Sequence, residues 1–187
     1  MRVARVSLVP RLVKLNHGLE AAFVPPRGHS LWRSHHALGL EKFLLGLRES
    51  LAMRTRLFKG DHPSVALDLN NLSLLLRDKG DLPASLKVAQ DAVDMFTRTQ
   101  GKDYWLTGYA RMGRGRTLVR MKRFSDAEKE LLEAERVMGA PKGVPAGRHK
   151  SCLEAVVQLY EAWNKADPSD AHAASVASWK AKLDAAS

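Results

Sequence analysis

Two stretches of this chain repeat one another at a distance. ESLAMRTRLFKGD, from Glu49, aligns with DAVDMFTRTQGKD, from Asp91, so that Ser50 meets Ala92, Met53 meets Met95, Arg56 meets Arg98 and Asp61 meets Asp103. The shift is 42 residues, and a further 42 carries the small residue to Ala134 in EAERVM and turns Leu82 of GDLPAS into Phe124 of KRFSDA. A fixed period of this length restricts the fold more than composition does. Each unit buries too little apolar surface by itself, so its copies must stack side by side and share a core. The recurrent small residue marks where a neighbouring helix has to come close.

The unit reads as a pair of helices. In GDHPSVALDLNNLSLLLRDKG, residues 60–80, Pro63 stands near the first turn, where its missing N–H costs nothing, and Gly80 offers a left-handed cap. Val65, Leu69, Leu72 and Leu76 recur at spacings of four, three and four, which is one buried face of a helix. The same signals predict helices near 40–58, 63–79, 82–99, 104–121, 124–138, 148–164 and 170–184, with turns at Gly60, Gly80, Gly101 and GAPKGVPAG. In KADPSDAHA, Asp167-Pro168 and Ser169-Asp170 read as a loop followed by an N-cap. No strand pattern competes with these. The expected fold class is all-α, a short solenoid of stacked antiparallel helix hairpins over residues 40–187.

Charge divides the chain differently. Residues 1–58 hold ten Lys/Arg against three acids, whereas residues 59–187 hold twenty against seventeen, so a basic N-terminal arm accounts for most of the net +10. Residues 21–40, rich in Pro, Gly, His, Ser and Arg, promise neither helix nor strand, and residues 1–39 are expected to form a poorly structured arm. Arg11 and Lys14 interrupt its apolar stretch and spoil it as a signal-peptide core. With one cysteine, Cys152, no intramolecular disulfide can form, and a reducing, cytoplasmic compartment is the easier fit. No apolar run approaches the ~20 residues that span a bilayer.

The stretch DHPSVALDLNNLSLLLRDKGDLPASLKVAQDAV, with its His-Pro entry, twin Asn, mid-repeat glycine and closing Ala-Val, resembles the tetratricopeptide repeat in its longer, kinesin-light-chain-like variety. The ordinary repeat has 34 residues, and the additional length goes into the second helix and the following loop. LYEAW at 159–163 and SWKAKL at 178–183 are similar to the last repeat of tetratricopeptide tails attached to bacterial serine/threonine kinases. The resemblance spans about residues 40–187. Where Ala127 keeps the usual alanine of the second helix, earlier copies have Phe43 and Ser85, and Arg111 and Arg114 replace leucines, as a terminal or solvated repeat would tolerate.

Catalytic patterns are weak. Asp61-His62 stands at a helix entrance with no nucleophile nearby, and the seven histidines show no metal-ligand spacing, His35-His36 being at most an adventitious site. GRGR, residues 113–116, lacks the preceding strand and the Lys-Ser/Thr ending of a phosphate loop, so its glycines suit a close helix approach better. Glu128, Glu130, Glu133 and Glu135 read as a solvated helix face, and Cys152 as a small core residue. No cofactor and no metal are expected.

The functional expectation is a non-enzymatic module that binds a partner peptide or helix in a concave groove lined by the first helix of each pair. Asn is a poor helix-interior residue because its side chain competes for backbone hydrogen bonds, so the adjacent Asn70 and Asn71 suggest an outside partner for their amides. Repeat register sets Leu67, Asn70, Asn71, Leu74 and Arg77 on that side, beside Tyr109, Met112, Arg116 and Arg120 of the next repeat and Glu154 and Gln158 of the last. Amides can grip a peptide backbone and guanidiniums suit carboxylates, so an acidic or C-terminal peptide is the partner expected. Two alternatives stand beside it: a nucleic-acid or anionic-membrane adaptor using the basic arm, and a detached regulatory tail of a bacterial signalling kinase. Nothing in the sequence fixes the oligomeric state.

Overall fold

The computed structural model describes residues 30–139, 143–145 and 147–186. The chain divides into two units, Met1–Leu38 and Gly39–Ser187, and the repeats lie in the second. The greater part of the expected basic arm falls outside the described residues. Seven helices follow one another: α1 (Ser30–Phe58), α2 (Pro63–Lys79), α3 (Leu82–Gln100), α4 (Trp105–Arg120), α5 (Phe124–Met138), α6 (Arg148–Ala166) and α7 (Asp170–Ala185). No strand occurs among the described residues. One expectation needs correcting, because α1 begins at Ser30 and not near 40. SLWRSHHALG contains no proline, and its one interior glycine costs a helix only about 1 kcal/mol.

Three hairpins, α2/α3, α4/α5 and α6/α7, pack in sequence order, each first helix also touching the first helix of the next pair. The turn inside a hairpin needs one residue in the left-handed region. Gly80 supplies it at φ 94°, its N–H reaching Arg77 O at 3.0 Å while Asp81 N–H reaches Leu76 O at 2.9 Å. One repeat later Lys122 takes the same role at φ 58°, with Lys122 N–H on Val119 O and Arg123 N–H on Leu118 O. The geometry is conserved between the two turns although the residue is not.

The approach to each first helix is also repeated. His62 caps α2, its Nδ1 accepting the Ser64 N–H at 3.1 Å, so this histidine has a structural use. Asp61 accepts from Arg98 at the end of α3, and Asp103 accepts from Arg136 at the end of α5 at 2.5 Å. In both repeats the loop before the hairpin is clasped to the hairpin's far end.

The small recurrent positions sit where they should: Ala92 and Ala134 are fully buried. At Gly115 an added Cβ would stand 2.6 Å from Leu131 Cγ, and at Gly108 it would meet Met138 and Val137 at 3.1 Å. These glycines bring α4 against α5, which is the close approach that the sequence suggested for GRGR. Ser85, in place of alanine, is buried with its hydroxyl donating to Ser73 O at 2.8 Å and lying 3.1 Å from Thr117 Oγ1.

Two layers of the stack exchange apolar contacts for ionic ones. Arg111 and Arg114, expected to face solvent, reach Glu130 on α5 at 3.0 and 2.5 Å. Glu130 is buried, so the expectation of four solvated glutamates is wrong at this position. One period earlier its counterpart is Val88, packed against the leucine cluster that α1 and α2 share, so the carboxylate and its two cations replace a hydrophobic contact together. Glu128 is engaged too, accepting the Tyr160 hydroxyl at 2.6 Å. Between α1 and α2, Arg54 pairs with Asp68 at 3.0 Å. One period on, those positions are Phe96 and Ala110 in a single apolar cluster, and two periods on they are Met138 and Cys152 in another.

Candidate functional site

The first helices α2, α4 and α6 adjoin one another, and arginines of α4 tie them together. Arg116 Nη2 donates to Ser151 O of α6 at 3.0 Å. Arg120 Nη1 donates to Arg77 O near the end of α2. A guanidinium is suited to this, since its fork of several donors can reach backbone carbonyls of a neighbouring helix. At the other end of the face, Arg148 at the start of α6 lies over the Tyr109 ring, 4.4 Å from its centroid.

The expected site residues fall into two groups. Asn70, Tyr109 and Met112 are buried, at 1%, 5% and 1% exposure. They belong to the packing between helices and not to an open face, which corrects the expectation that all three present to a ligand. The reason is angular. Asn70, Leu74 and Arg77 lie on the flank of α2 turned toward α4, where Leu74 Cδ2 and Asn70 Oδ1 stand 3.3 and 3.5 Å from the place of a Gly113 Cβ. Asn71 projects about 100° away from Asn70 and is half-buried. Leu67, Leu74, Arg77, Arg116 and Glu154 are likewise half-buried, and Arg120 and Gln158 are exposed.

Asn70 Nδ2 and Arg77 Nη1 are buried with no hydrogen-bond partner among the described residues. Arg77 spends its other nitrogens on Asp78, with contacts at 3.1 Å, and only 11% of its side chain is exposed. Asp78 pairs with its own neighbour Arg77, and Arg120 holds the α2 carbonyl. Arg148 and Ser151 of α6 were not among the expected residues, although Ser151 stands one 42-residue period after Tyr109.

No catalytic arrangement emerges among the described residues. Asp61 is held below the usual carboxylate range by the hydrogen bond from Arg98, and its neighbour His62 caps a helix. Burial pushes the Cys152 thiol up to about 12, opposite to the activation a nucleophile needs. No group of three His, Cys, Asp or Glu side chains converges as a metal site among the described residues, and none of their helices is long and apolar enough to cross a membrane.

A tetratricopeptide repeat family model matches residues 69–103, from mid-α2 through α3 to the loop before α4. This supports the repeat reading at the stretch where the twin asparagines, the Gly80 turn and Ala92 lie. No curated protein matches the sequence.

Proposed function

We propose that the chain is a non-enzymatic protein-interaction module of the kinesin-light-chain-like tetratricopeptide variety, with the face of α2, α4 and α6 as its binding surface. Repeats of this kind generally mediate protein–protein contacts, and the 42-residue period favours the longer variety. The carrying observation is the seam between α2 and α4, where Arg77 Nη1 is a buried donor without an acceptor among the described residues. A buried unpaired N–H is costly, typically about 1–3 kcal/mol, and an acceptor from a ligand backbone or carboxylate relieves that cost. Arg120 is exposed beside it and Arg116 borders it, so the favoured ligand is an acidic peptide or one presenting a C-terminal carboxylate. The fold contributes a rigid surface and displayed side chains, not chemistry.

The test is peptide display on the full chain, using libraries with free and with amidated C-termini, followed by anisotropy titrations of the selected peptides. Asn71→Ala, Arg116→Ala and Arg120→Ala each weaken binding by ~1–3 kcal/mol if the face is correctly assigned. Full affinity in all three variants, with unchanged helical circular dichroism, rejects it.

A further inference from the structure

What recurs in the stack cannot tell one hairpin from another. The turns at Gly80 and Lys122, the buried Ala92 and Ala134, and the clasps Asp61–Arg98 and Asp103–Arg136 all return with the 42-residue period. Three polar contacts between helices do not return. Where α1 meets α2, Arg54 pairs with Asp68 at 3.0 Å, and the equivalent positions are Phe96 with Ala110, then Met138 with Cys152. Where α3 meets α4, the buried Ser85 and Thr117 bring their hydroxyl oxygens within 3.1 Å of each other. Their equivalents are apolar in both directions, Phe43 with Leu75 before and Ala127 with Leu159 after. Where α4 meets α5, Arg111 and Arg114 hold the buried Glu130, and the equivalents in α2 and α3 are Leu69, Leu72 and Val88. Helices of one repeating shape thus carry a different polar set at each of three contacts.

We propose that these three layers fix the order in which the helices stack, so that units alike in shape do not exchange places. Misassembly of like units is the characteristic failure of repeat proteins, and here each wrong neighbour strands a polar group. With α3 in the place of α1, Phe96 meets Asp68; with α1 in the place of α3, Arg54 meets Ala110. Packed as the partner of α2, α5 carries Glu130 onto Leu69 and Leu72, while α3 packed as the partner of α4 leaves Arg111 and Arg114 against Val88. A buried ion without its counter-ion is strongly disfavoured, whereas an apolar replacement of the whole set is often neutral or stabilising. Burial already raises the Asp68 carboxyl above its ordinary value beside Arg54. The layers therefore act by penalising the wrong stacks more than by stabilising the native one, as in partner choice through rejected alternatives. The order they protect is the one that sets α2, α4 and α6 side by side.

Double electron–electron resonance on the refolded full chain tests the proposal. Spin labels are attached to the native chain at Lys87→Cys and Lys129→Cys, equivalent exposed positions of α3 and α5, where the buried Cys152 stays unlabelled. In the otherwise wild-type chain the pair gives one distance population before unfolding in urea and the same one after refolding. Arg111→Leu/Arg114→Leu/Glu130→Val gives α4 and α5 the residues of α2 and α3, and Arg54→Met/Asp68→Ala makes the first interface apolar. The chain combining all five substitutions keeps its helical circular dichroism and a urea midpoint no lower than the wild type, yet refolds with an added slow phase to a second distance population. A single population with wild-type refolding kinetics in that chain overturns the proposal, as do two populations in the wild-type background. Loss of cooperative unfolding, or a midpoint below the wild type, overturns it as well, because the layers would then supply stability and not order.

Discussion

Replacing the Arg54–Asp68 pair with the residues found one or two periods later tests the repeat register and the energetics of its first interface together. The carboxylate of Asp68 is 7% exposed and the Arg54 side chain 24%, at a separation of 3.0 Å. Burial raises the Asp68 carboxyl above its ordinary value despite the attraction of Arg54 and the Ser50 hydrogen bond, so desolvation outweighs pairing for the folded carboxylate. Arg54→Met alone removes the cation and leaves that carboxylate buried, a loss of ~3 kcal/mol of the kind seen when one partner of a buried pair is deleted. Arg54 also holds Ser64 O at 3.4 Å, which adds to the loss. Asp68→Ala alone costs less, because the longer Arg54 side chain can turn its head to solvent. The double variant Arg54→Met/Asp68→Ala reproduces the apolar contact of Met138 with Cys152 in kind, and is expected to equal the wild type or exceed it by ~1–3 kcal/mol.

Urea denaturation followed by helical circular dichroism reads all four chains. In Arg54→Met, acidification adds stability: a carboxyl whose folded pKa is raised binds its proton more readily in the folded state, so stability rises as pH falls through that raised pKa. A double variant no more stable than Arg54→Met, or an Arg54→Met chain insensitive to pH in that range, refutes the reasoning. It would mean that the pair contributes net stability and that the interface is not an ionic version of the later ones.

Gly115→Ala should destabilise by ~1–3 kcal/mol through the collision with Leu131, whereas Gly113→Ala, two residues away, meets atoms only at 3.3 Å and beyond and should be near neutral once helix propensity is counted. Thermal melts of the two variants check the contrast. Ala92→Leu and Ala134→Leu should each cost ~1–3 kcal/mol by overpacking fully buried positions, and an unchanged melting temperature in either contradicts the alignment of the repeats. The clasps Asp61–Arg98 and Asp103–Arg136 hold both carboxyls below their ordinary values through the arginine hydrogen bonds. Their contribution is present above the unfolded carboxylate pKa and lost as pH falls through the folded one, so the melting temperature should drop below about pH 4, and less so in Asp61→Asn/Asp103→Asn.

The 42-residue recurrence carried most of the fold. Helix ends followed from Pro63, Gly80 and the Ser169-Asp170 pair because caps and turns are local chemistry, and Ala92 and Ala134 followed from the period because close approach repeats with the unit. The site was harder to read, for an angular reason. Asn70 and Asn71 look equivalent in sequence, yet Asn70 faces α4 and is buried while Asn71 is half-buried. Glu130 misled for a related reason: an acidic run on an amphipathic helix usually faces water, and only the simultaneous change of two leucines to Arg111 and Arg114 reveals that the carboxylate turns inward. That correlated substitution was visible in the sequence and could have been paired with Glu130 through Val88, its apolar counterpart. The extension of α1 back to Ser30 had no comparable signal, since histidine, serine and glycine there weaken helix propensity without forbidding a helix.

The most direct measurement of the binding account is an amide chemical-shift titration of the isotopically labelled full chain with a displayed acidic peptide. Perturbations concentrated on α2, α4 and α6, centred on Asn71, Arg77, Arg116 and Arg120, are the predicted result. Shifts confined to α3 and α5, or to the residues before Gly39, with α2 and α4 unmoved at saturation, would contradict it.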